Sequence, residues 1–585
     1  MRQGEAPLGP RRGILTLKSL SLRCVGGLLL AFAQTALPAN WYVRPSPAGS
    51  NSGADWNNAW NMASLNSHWS SISSGDTVWL AGGTYTTGLS PSQSGTSGNR
   101  IYVERVRSTD SVPATAAGWS GSFDSQVVFN VGSGNTIEIG ANYVTVDGRI
   151  SSGILCIVPN VTGSPVGLVF NGTGGIMANA ELSGPGKGAT FVGYVEGLAS
   201  RNGTGNMATN VYIHGFNQNC SIYNDTGFVF DHCIISDNGA ANPSDFHPNL
   251  IEYDGSQNMV LRYCVVSNWD VVGIMMWKGS ELSRVCGAVY LYGDIFKDAA
   301  QDLIWASLTG GANKGPVYFY NNTLINCVVS MGRGDSSSTA VLDTASQARN
   351  NIYWGSSFWA GPWHGIDSIA DRDYEFAATA LQAGNPPGTH CIVNGANPFV
   401  NYSGGNFQII SNISSTYPRN KGVSVANANG QIYNLDSSGT VRGADGAWDI
   451  GAYEYVSVGG NPQMFVSLSS AYLVLPNSYS FGSSPTNVTI TNSLFTVQNV
   501  GTGTLTGTSS VAAPFSIIAG NPYSLGQNQS QAITVCFKPT AVSNYSRTMT
   551  FSAAGGVGTN LTLSGAGTGP TIPASPQTLM LTPGP

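Results

Sequence analysis

The sequence predicts an all-β protein, a solenoid of short stacked strands followed by a smaller β-sandwich. The first observation is a frame that recurs five times between residues 228 and 354, with no helical pattern between its copies. The second is a C-terminal stretch, residues 463–568, in which short runs alternate between apolar and polar residues. The third is composition, because 42% hydrophobic residues supply ample core for a 585-residue chain.

The recurring frame ends at positions 233, 264, 294, 322 and 351, in steps of 31, 30, 28 and 29 residues. Apolar residues follow each copy, so the unit predicts a coil of three short strands, stacked at about 4.8 Å per coil. The framed position is then a turn where small side chains stack: Cys233, Cys264, Asp294, Asn322 and Asn351. We expect the two cysteines to be buried thiols, not a disulfide. The alternative is an ordinary β-sandwich with accidental spacing.

This pattern resembles the right-handed parallel β-helix (pectate-lyase-like) superfamily, in which asparagine ladders occupy one turn. The resemblance implies a right-handed parallel β-helix over residues 40–456. The run Ser74–Tyr85 resembles the first coil of exported bacterial β-helix proteins. The run Trp448–Tyr455 is similar to the terminal segment of choice-of-anchor Q surface proteins, which implies that Asp449 and Glu454 have structural roles.

Between these landmarks, the elements follow from local pattern. Residues 59–72 place Trp60, Leu65, Trp69 and Ile72 at helical spacing, which predicts a short helix that covers the open end of the solenoid. Residues 101–103 and 143–148 continue the coils, whereas residues 167–205 are glycine-rich and show a weaker pattern. Strands resume at 397–400 and 407–410.

The C-terminal stretch carries Asn499–Gly503, Ala513–Phe515 and Phe537–Pro539. These motifs resemble the choice-of-anchor D, or ASH-like, immunoglobulin-type domain, which implies a small immunoglobulin-like β-sandwich over 463–568. Such domains serve as spacers or attachment modules, so we expect attachment to a cell surface through this domain. Residues 569–585 are predicted to be a proline-rich tail.

The N-terminal residues predict an export signal over 1–33. Arg11, Arg12, Lys18 and Arg23 precede the apolar run Val25–Ala33, which ends in a small-x-small cleavage site. An uncleaved membrane anchor is the alternative, but a membrane span needs about 20 apolar residues. The expected location is therefore secreted or on the cell surface.

Charge and cysteine spacing exclude several classes. The formal net charge of −6 argues against nucleic-acid binding. Nine cysteines occur, one of them within the predicted signal, and the other eight show neither CxxC nor zinc-type spacing. One isolated disulfide stays open for an oxidising compartment. We expect a monomer.

Candidate site residues come from the strands that precede each ladder turn. Aligning Ile222, Ile251, Ile274, Ile304 and Val329 as inward residues sends other side chains outward. That outward row contains Tyr223, Asp225, Glu252, Asp254, Met275, Trp277, Trp305 and Ser307. Lyases and hydrolases of the superfamily bind sugar chains along such a face, so Tyr223, Tyr253, Trp277 and Trp305 are the candidate substrate-binding residues. The alternative is that the tryptophans pack under loops.

Three chemistries compete for this face. Asp225 and Asp254 are expected on adjacent coils, roughly 5 Å apart, where they bind Ca²⁺, share a proton or simply extend into solvent. A lyase would use Lys278 as base and Arg333 as carboxylate partner, completed by His247 or Tyr253. A hydrolase would draw its two carboxylates from Glu252, Asp254 and Asp270. Lys278 paired with Asp254 in solvent is the structural alternative.

The expected partner is a polysaccharide. The leading hypothesis is an exported lyase that cleaves a uronate-containing glycan by β-elimination. A glycoside hydrolase and a non-catalytic surface adhesin or stalk are the alternatives. An enzyme should concentrate aromatic and ionisable side chains on one face, whereas an adhesin should not.

Overall fold

Three columns of parallel strands wind through most of the chain in the computed structural model. The structure describes residues 38–569, except for these gaps: 240–247, 278–283, 307–313, 330, 334–341, 359–368, 370, 379–387, 426–430, 432, 439, 441, 444–445, 456–461, 463, 469–472, 475–477, 500–502, 527–528 and 555–557. The predicted signal and the proline-rich tail therefore lie outside the described residues.

The strands of successive coils stack into three parallel sheets. Sheet 1 has eight strands: Ile137–Ile139, Val166–Phe170, Glu196–Arg201, Gln218–Tyr223, Asn249–Asp254, Val272–Trp277, Ile304–Ala306 and Met331–Arg333. Sheet 2 consists of Asn40–Val43, Thr77–Leu80, Ile101–Arg105, Val144–Asp147, Val229–Asp231, Met259–Arg262, Val289–Tyr292, Val317–Tyr320, Gln347–Arg349 and Asp371–Asp373. Sheet 3 consists of Gly83–Tyr85, Val127–Asn130, Ile154–Ile157, Ile234–Ser236, Val265–Ser267, Ile295–Ala299, Thr323–Val329, Ile352–Trp354 and Phe376–Ala377. Two long strands, Ile176–Ser183 and Met207–His214, run through both sheets 2 and 3. The short strand Ser357–Phe358 pairs with Val328–Val329.

The predicted ladder is present at the turn between sheets 2 and 3. The Cys233 N–H donates to Cys264 Sγ at 3.3 Å, and the Cys264 N–H donates to Asp294 Oδ1 at 2.8 Å. Asp294 and Asn322 donate in the same way to the next rung, each at 2.9 Å. The ladder runs one rung further, because Asn351 Nδ2 donates to Glu375 Oε1 at 2.9 Å. The stacking prediction is confirmed.

A left-handed residue makes this turn in eight successive coils. The position before each rung has a φ between 50° and 70°: Asn179, Asn210, His232, Tyr263, Gly293, Asn321, Asn350 and Tyr374. Asparagine and glycine tolerate this conformation best. At Gly293 a Cβ would lie 2.7 Å from the Tyr263 ring, so the close approach excludes a larger residue. The coils at 176–214, which the sequence suggested were weak, share this geometry.

An apolar core fills the coils, and its N-terminal end is covered as expected. The helix Met62–Ser67 and the 3₁₀ turns Trp56–Asn58 and Trp69–Ser71 replace the single predicted helix. Trp60, Leu65, Trp69 and Ile72 are buried in the solenoid core. Further 3₁₀ turns occur at Pro113–Thr115 and Gly121–Phe123.

Later chain covers the outer surface of sheet 3 in the last coils, because Phe399, Ile409 and Ile450 pack against Ile325, Ile352 and Phe376. Phe399–Asn401 and Asn406–Ile409 form an antiparallel hairpin, not a further coil. The segment 446–455 also docks here, because the Ala452 N–H donates to Thr323 Oγ1 at 2.9 Å. Asp449 and Glu454 are buried in it, and Glu454 lies 3.6 Å from Arg442. These contacts agree with the structural roles expected for both carboxylates.

The C-terminal stretch forms two five-stranded sheets. One has the order Leu473–Val474, Met464–Leu468, Ile490–Asn499, Ser530–Phe537 and Phe515–Ala519. The other has the order Ser478–Pro485, Thr559–Thr568, Asn544–Ala553, Leu505–Ser510 and Tyr523–Leu525. Their shared core includes Phe495, Phe537 and Phe551. The predicted class, an all-β solenoid followed by a sandwich, is confirmed.

All eight cysteines within the described ranges are free. Seven are buried, including Cys233 and Cys264 of the ladder, as the sequence suggested. Among the described residues, no helix is long and apolar enough to cross a membrane.

Candidate functional site

The outer face of sheet 1 carries the candidate residues in two rows. One row is Ala199, Ser221, Glu252, Met275 and Trp305, and the backbone of Arg333 follows. The other row is Arg201, Tyr223, Asp254 and Trp277. Both tryptophans are half-buried. The predicted outward face therefore brings together Tyr223, Glu252, Asp254, Trp277 and Trp305.

Two strands of sheet 1 differ from the predicted alignment by two residues. Met331, not Val329, lies beside Ile304, and the second difference concerns the strand Gln218–Tyr223. Cys220, not Ile222, lies beside Ile251, so Asp254 lies beside Tyr223. Asp225 instead lies in the following turn, where its N–H donates to Ser256 Oγ at 2.9 Å. The predicted pairing of Asp225 with Asp254 was therefore wrong. A shift of two preserves which side chains face outward, so alternation alone could not detect it.

Two predicted residues do not lie on the outer face of sheet 1. Tyr253 lies in the core and donates to the Ala288 carbonyl at 3.1 Å, so its prediction as a substrate-binding or catalytic residue was wrong. Asp225 is 1% exposed and accepts from Ser200 Oγ at 2.6 Å. Burial raises the pKa of the Asp225 carboxyl. The hydrogen bond from Ser200 shows that Asp225 packs within the turn between coils.

Of the remaining candidates, one lies apart from the rows on sheet 1 and the others lie outside the described residues. Asp270 forms an ion pair with Lys187 at 2.8 Å, just before its strand begins. Lys278, His247 and Ser307 lie outside the described residues, as does the side chain of Arg333. Among described residues, no group of three or more His, Cys, Asp and Glu could hold a metal ion.

A carboxylate that the sequence did not single out, Glu196, lies on this same face. Val195 is in the core, and a Cβ on Gly197 would lie 2.7 Å from Ile213 Cγ2 inside the coil. Glu196 between them therefore faces outward. Its carboxylate accepts from Arg201 Nη2 at 2.7 Å, with 3% of the Glu196 side chain and 46% of the Arg201 side chain exposed.

Glu252 is the second carboxylate of this cluster. It accepts from Gln218 Nε2 at 2.7 Å and lies 3.5 Å from the Tyr194 hydroxyl. Burial raises the pKa of Tyr194, and the neighbouring carboxylates add to this effect. Tyr194 is therefore a neutral hydrogen-bond donor at physiological pH. We call the set Tyr194, Glu196, Arg201, Gln218 and Glu252 the acid cluster.

The pKa of Glu196 is raised to about 7. Desolvation by burial is the largest cause, and the charge of Glu252 adds to it. Arg201 and a hydrogen bond from Ser221 act in the opposite direction. One carboxyl of the cluster is thus poised to hold a proton near neutral pH, which is the requirement for a general acid.

Sequence reasoning missed Glu196 because it lies in the glycine-rich region where the coil pattern was weak. A signal was present, since Glu196 is a lone charge in the run Val195–Ser200. Glutamate is rarely fully buried without a partner, so a charge inside an apolar strand indicates a specific role.

Aromatic side chains also occur on the other two faces. Tyr290 and Tyr318 stack on sheet 2 at 5.3 Å, and Tyr433 covers their neighbours. A groove of about 590 Å³ lies on sheet 3, where it is lined by Tyr212, Ile234 and other residues. Aromatic residues are therefore not confined to one face. Neighbouring carboxylates also occur on sheet 2, where Glu104 lies beside Asp147. What distinguishes the carboxylates of sheet 1 is that the pKa of Glu196 is raised to about 7.

No protein-family model matches the chain, and no curated protein matches it. Among solved structures, the chain is similar to the PL6 family alginate lyase AlyGC, with 11% identity and a TM-score of 0.32 over 58% of this chain and 51% of that one. It is also similar to the GH136 lacto-N-biosidase from Eubacterium ramulus, with 8% identity and a TM-score of 0.31 over 55% of this chain and 64% of that one.

The chain thus spans about half to two-thirds of the length of these two enzymes. A third similarity is to the ASH/PapD-like domain 7 of human CEP192, with 16% identity and a TM-score of 0.15 over 20% of this chain and 96% of that domain. The fold assignment rests on this chain's own strand pairing, and the protein is a parallel β-helix followed by a β-sandwich. Membership of the choice-of-anchor families stays a prediction.

Proposed function

We propose that this chain is an exported, polysaccharide-active protein that hydrolyses glycosidic bonds on the outer face of sheet 1. The observation that carries the proposal is the pKa of about 7 for Glu196 in a cluster with a second carboxylate, Glu252. Export rests on the predicted N-terminal signal, and we propose that the C-terminal sandwich serves for attachment.

The two carboxylates divide the chemistry between them. Glu196, protonated near neutral pH, donates its proton to the leaving oxygen of the glycosidic bond. Glu252, which is more exposed and accepts from Gln218, acts on the anomeric carbon directly or through a water molecule. Tyr223, Trp277 and Trp305 provide ring faces along the same rows for the neighbouring sugar units.

The described residues support hydrolysis, and the elimination that the sequence suggested stays the alternative. Its candidate bases, Lys278 and His247, lie outside the described residues. Within those residues, the raised pKa of Glu196 is influenced by the charge of a second carboxylate, Glu252. Glycoside hydrolysis uses two carboxylates, one as acid and one as base or nucleophile. Any Ca²⁺ requirement belongs to the lyase alternative.

The test is a panel of neutral and acidic polysaccharides, assayed for new reducing ends and for the ultraviolet absorbance of unsaturated uronates. We expect reducing ends without that absorbance. Glu196→Gln and Glu252→Gln should each lower the rate by about 10²-fold or more. Glu138→Gln, two strands away on sheet 1, is the matched control. Unsaturated products, or full activity in both variants, would overturn the proposal, and absence of cleavage would favour the adhesin.

A further inference from the structure

The contact between Arg201 and Glu196 joins an exposed cation to a buried acid. The guanidinium is 46% exposed, whereas the carboxylate beneath it is 3% exposed. A ligand on this face can therefore reach Arg201 without first displacing Glu196. Among the described residues, Arg201 is the cation that pairs with the Glu196 carboxyl, whereas Glu252 adds a negative charge nearby.

The neighbours of Arg201 favour a sugar with a negative substituent. Tyr223 lies directly beside Arg201 on the next strand, at a spacing of about 4.8 Å. A pyranose stacked on the Tyr223 ring would place a ring substituent within reach of the guanidinium. A guanidinium binds carboxylate and sulfate groups through two parallel hydrogen bonds, an arrangement that a neutral hydroxyl does not match.

We propose that Arg201 recognises an anionic substituent of the bound glycan, a uronate carboxylate or a sulfate, and that this contact draws Arg201 from Glu196, which then takes up a proton. The inference rests on the proposed function and deepens it by naming the substrate class. The proton comes from solvent, and the substrate anion replaces the Glu196 carboxylate as the partner of Arg201. The bound anion and the proton cancel in charge, so the net charge of the cluster with its ligand is unchanged. Glu196 is therefore protonated when an acidic glycan is bound.

Whether anion binding takes up or releases a proton depends on two opposing effects on the Glu196 pKa. Burial favours its neutral form, and Arg201 favours its ionised form. Removing the influence of Arg201 leaves burial and the Glu252 charge, which both raise the Glu196 pKa. Binding of an anion should therefore be accompanied by proton uptake above pH 7. A one-unit rise from about 7 corresponds to uptake of about 0.4 proton per bound ligand at pH 8.

Isothermal titration calorimetry in two buffers of different ionisation enthalpy measures this uptake without any need for cleavage. The probes are hexagalacturonate, a mannuronate hexamer and a κ-carrageenan hexasaccharide, which carries sulfate but no carboxylate, with cellohexaose as the neutral comparison. We expect at least one anionic probe to bind with proton uptake at pH 8. The identity of that probe separates a carboxylate from a sulfate. Tighter binding of cellohexaose than of every anionic probe would overturn the proposal.

Two variants on opposite sides of the contact should behave differently. Glu196→Gln should abolish the uptake but strengthen anion binding several-fold, because Arg201 no longer has a competing carboxylate. Arg201→Gln should abolish both the uptake and the preference for anionic probes, while Arg201→Lys retains part of that preference. Arg547→Gln, an exposed arginine of the sandwich, controls for general loss of charge.

A purely structural Arg201–Glu196 pair predicts weaker binding in both variants and no change in bound protons, which would refute the inference. The proposed function fails independently. Hydrolysis of a neutral glycan without proton uptake would support Glu196 and Glu252 as the acid pair and refute anion recognition by Arg201. Proton uptake on anion binding without any cleavage would support anion recognition by Arg201 and refute hydrolysis.

Discussion

Replacement of Glu196 by Gln gives a stability difference that depends on pH. The folded state raises the pKa of this carboxyl from 4.5 to about 7. Between these two values the native state holds more protons than the unfolded chain, so the free energy of unfolding falls as pH rises. The loss of unfolding free energy caused by ionising Glu196 is absent below about pH 4.5 and complete above about pH 7. About 2.5 pK units correspond to about 3 kcal/mol.

Glu196→Gln removes this titration and keeps an acceptor for Arg201. We therefore expect the variant and the parent to be similar in stability at pH 4, and the variant to be more stable by about 3 kcal/mol at pH 8. The pKa of about 7 already includes the stabilisation of the ionised carboxyl by Arg201, so loss of the ion pair needs no separate allowance.

Urea unfolding at a series of pH values, followed by tryptophan fluorescence, measures the effect. All 13 tryptophans lie between residues 41 and 448, so the signal reports the solenoid and not the sandwich. Glu138→Gln gives the background of the same exchange on the same sheet. A difference between Glu196→Gln and the parent that is equal at pH 4 and pH 8 would refute the reasoning about burial.

An internal rung of the ladder and the buried Arg442–Glu454 ion pair should each contribute to stability. Asn322→Ala leaves the buried Asp294 N–H and the Leu291 carbonyl without their partner, so it should cost about 2–4 kcal/mol in urea unfolding. Asn326→Ala at the exposed corner should cost about 1 kcal/mol, and an equal loss for both would contradict the ladder's role. Arg442→Ala removes the buried cation 3.6 Å from the buried Glu454 carboxylate and should cost about 3–5 kcal/mol. Faster proteolysis within 446–455 would accompany that loss, and a variant as stable as Arg419→Ala would contradict it.

The ladder could be predicted from sequence because its spacing and its residue types agree. Polar residues at an otherwise apolar interior, Asp294, Asn322 and Asn351, are tolerated only if each bonds to the next coil. The preceding left-handed position also favours Asn and Gly, as at Gly293 and Asn321. Spacing and turn chemistry therefore point to the same coil.

The site was harder to predict because its geometry depends on register. Cys220 and Ile222 are both apolar and inward, so neither is preferred as the partner of Ile251. The choice between them decides whether Asp225 or Tyr223 meets Asp254. Glu196 was missed for another reason. Its raised pKa comes from burial and from the charge of Glu252, which lies on the second strand along sheet 1. Sequence spacing does not encode that proximity.

The most direct measurement of the central claim is the fate of solvent oxygen in the products. Cleavage of a polysaccharide in ¹⁸O-labelled water, followed by mass spectrometry, distinguishes the two reactions. Acid–base hydrolysis by Glu196 and Glu252 predicts one labelled oxygen at each new reducing end, and loss of these products in Glu196→Gln. Unlabelled products with an unsaturated terminal sugar would show that the chain is a lyase, and would contradict the assignment of the acid cluster.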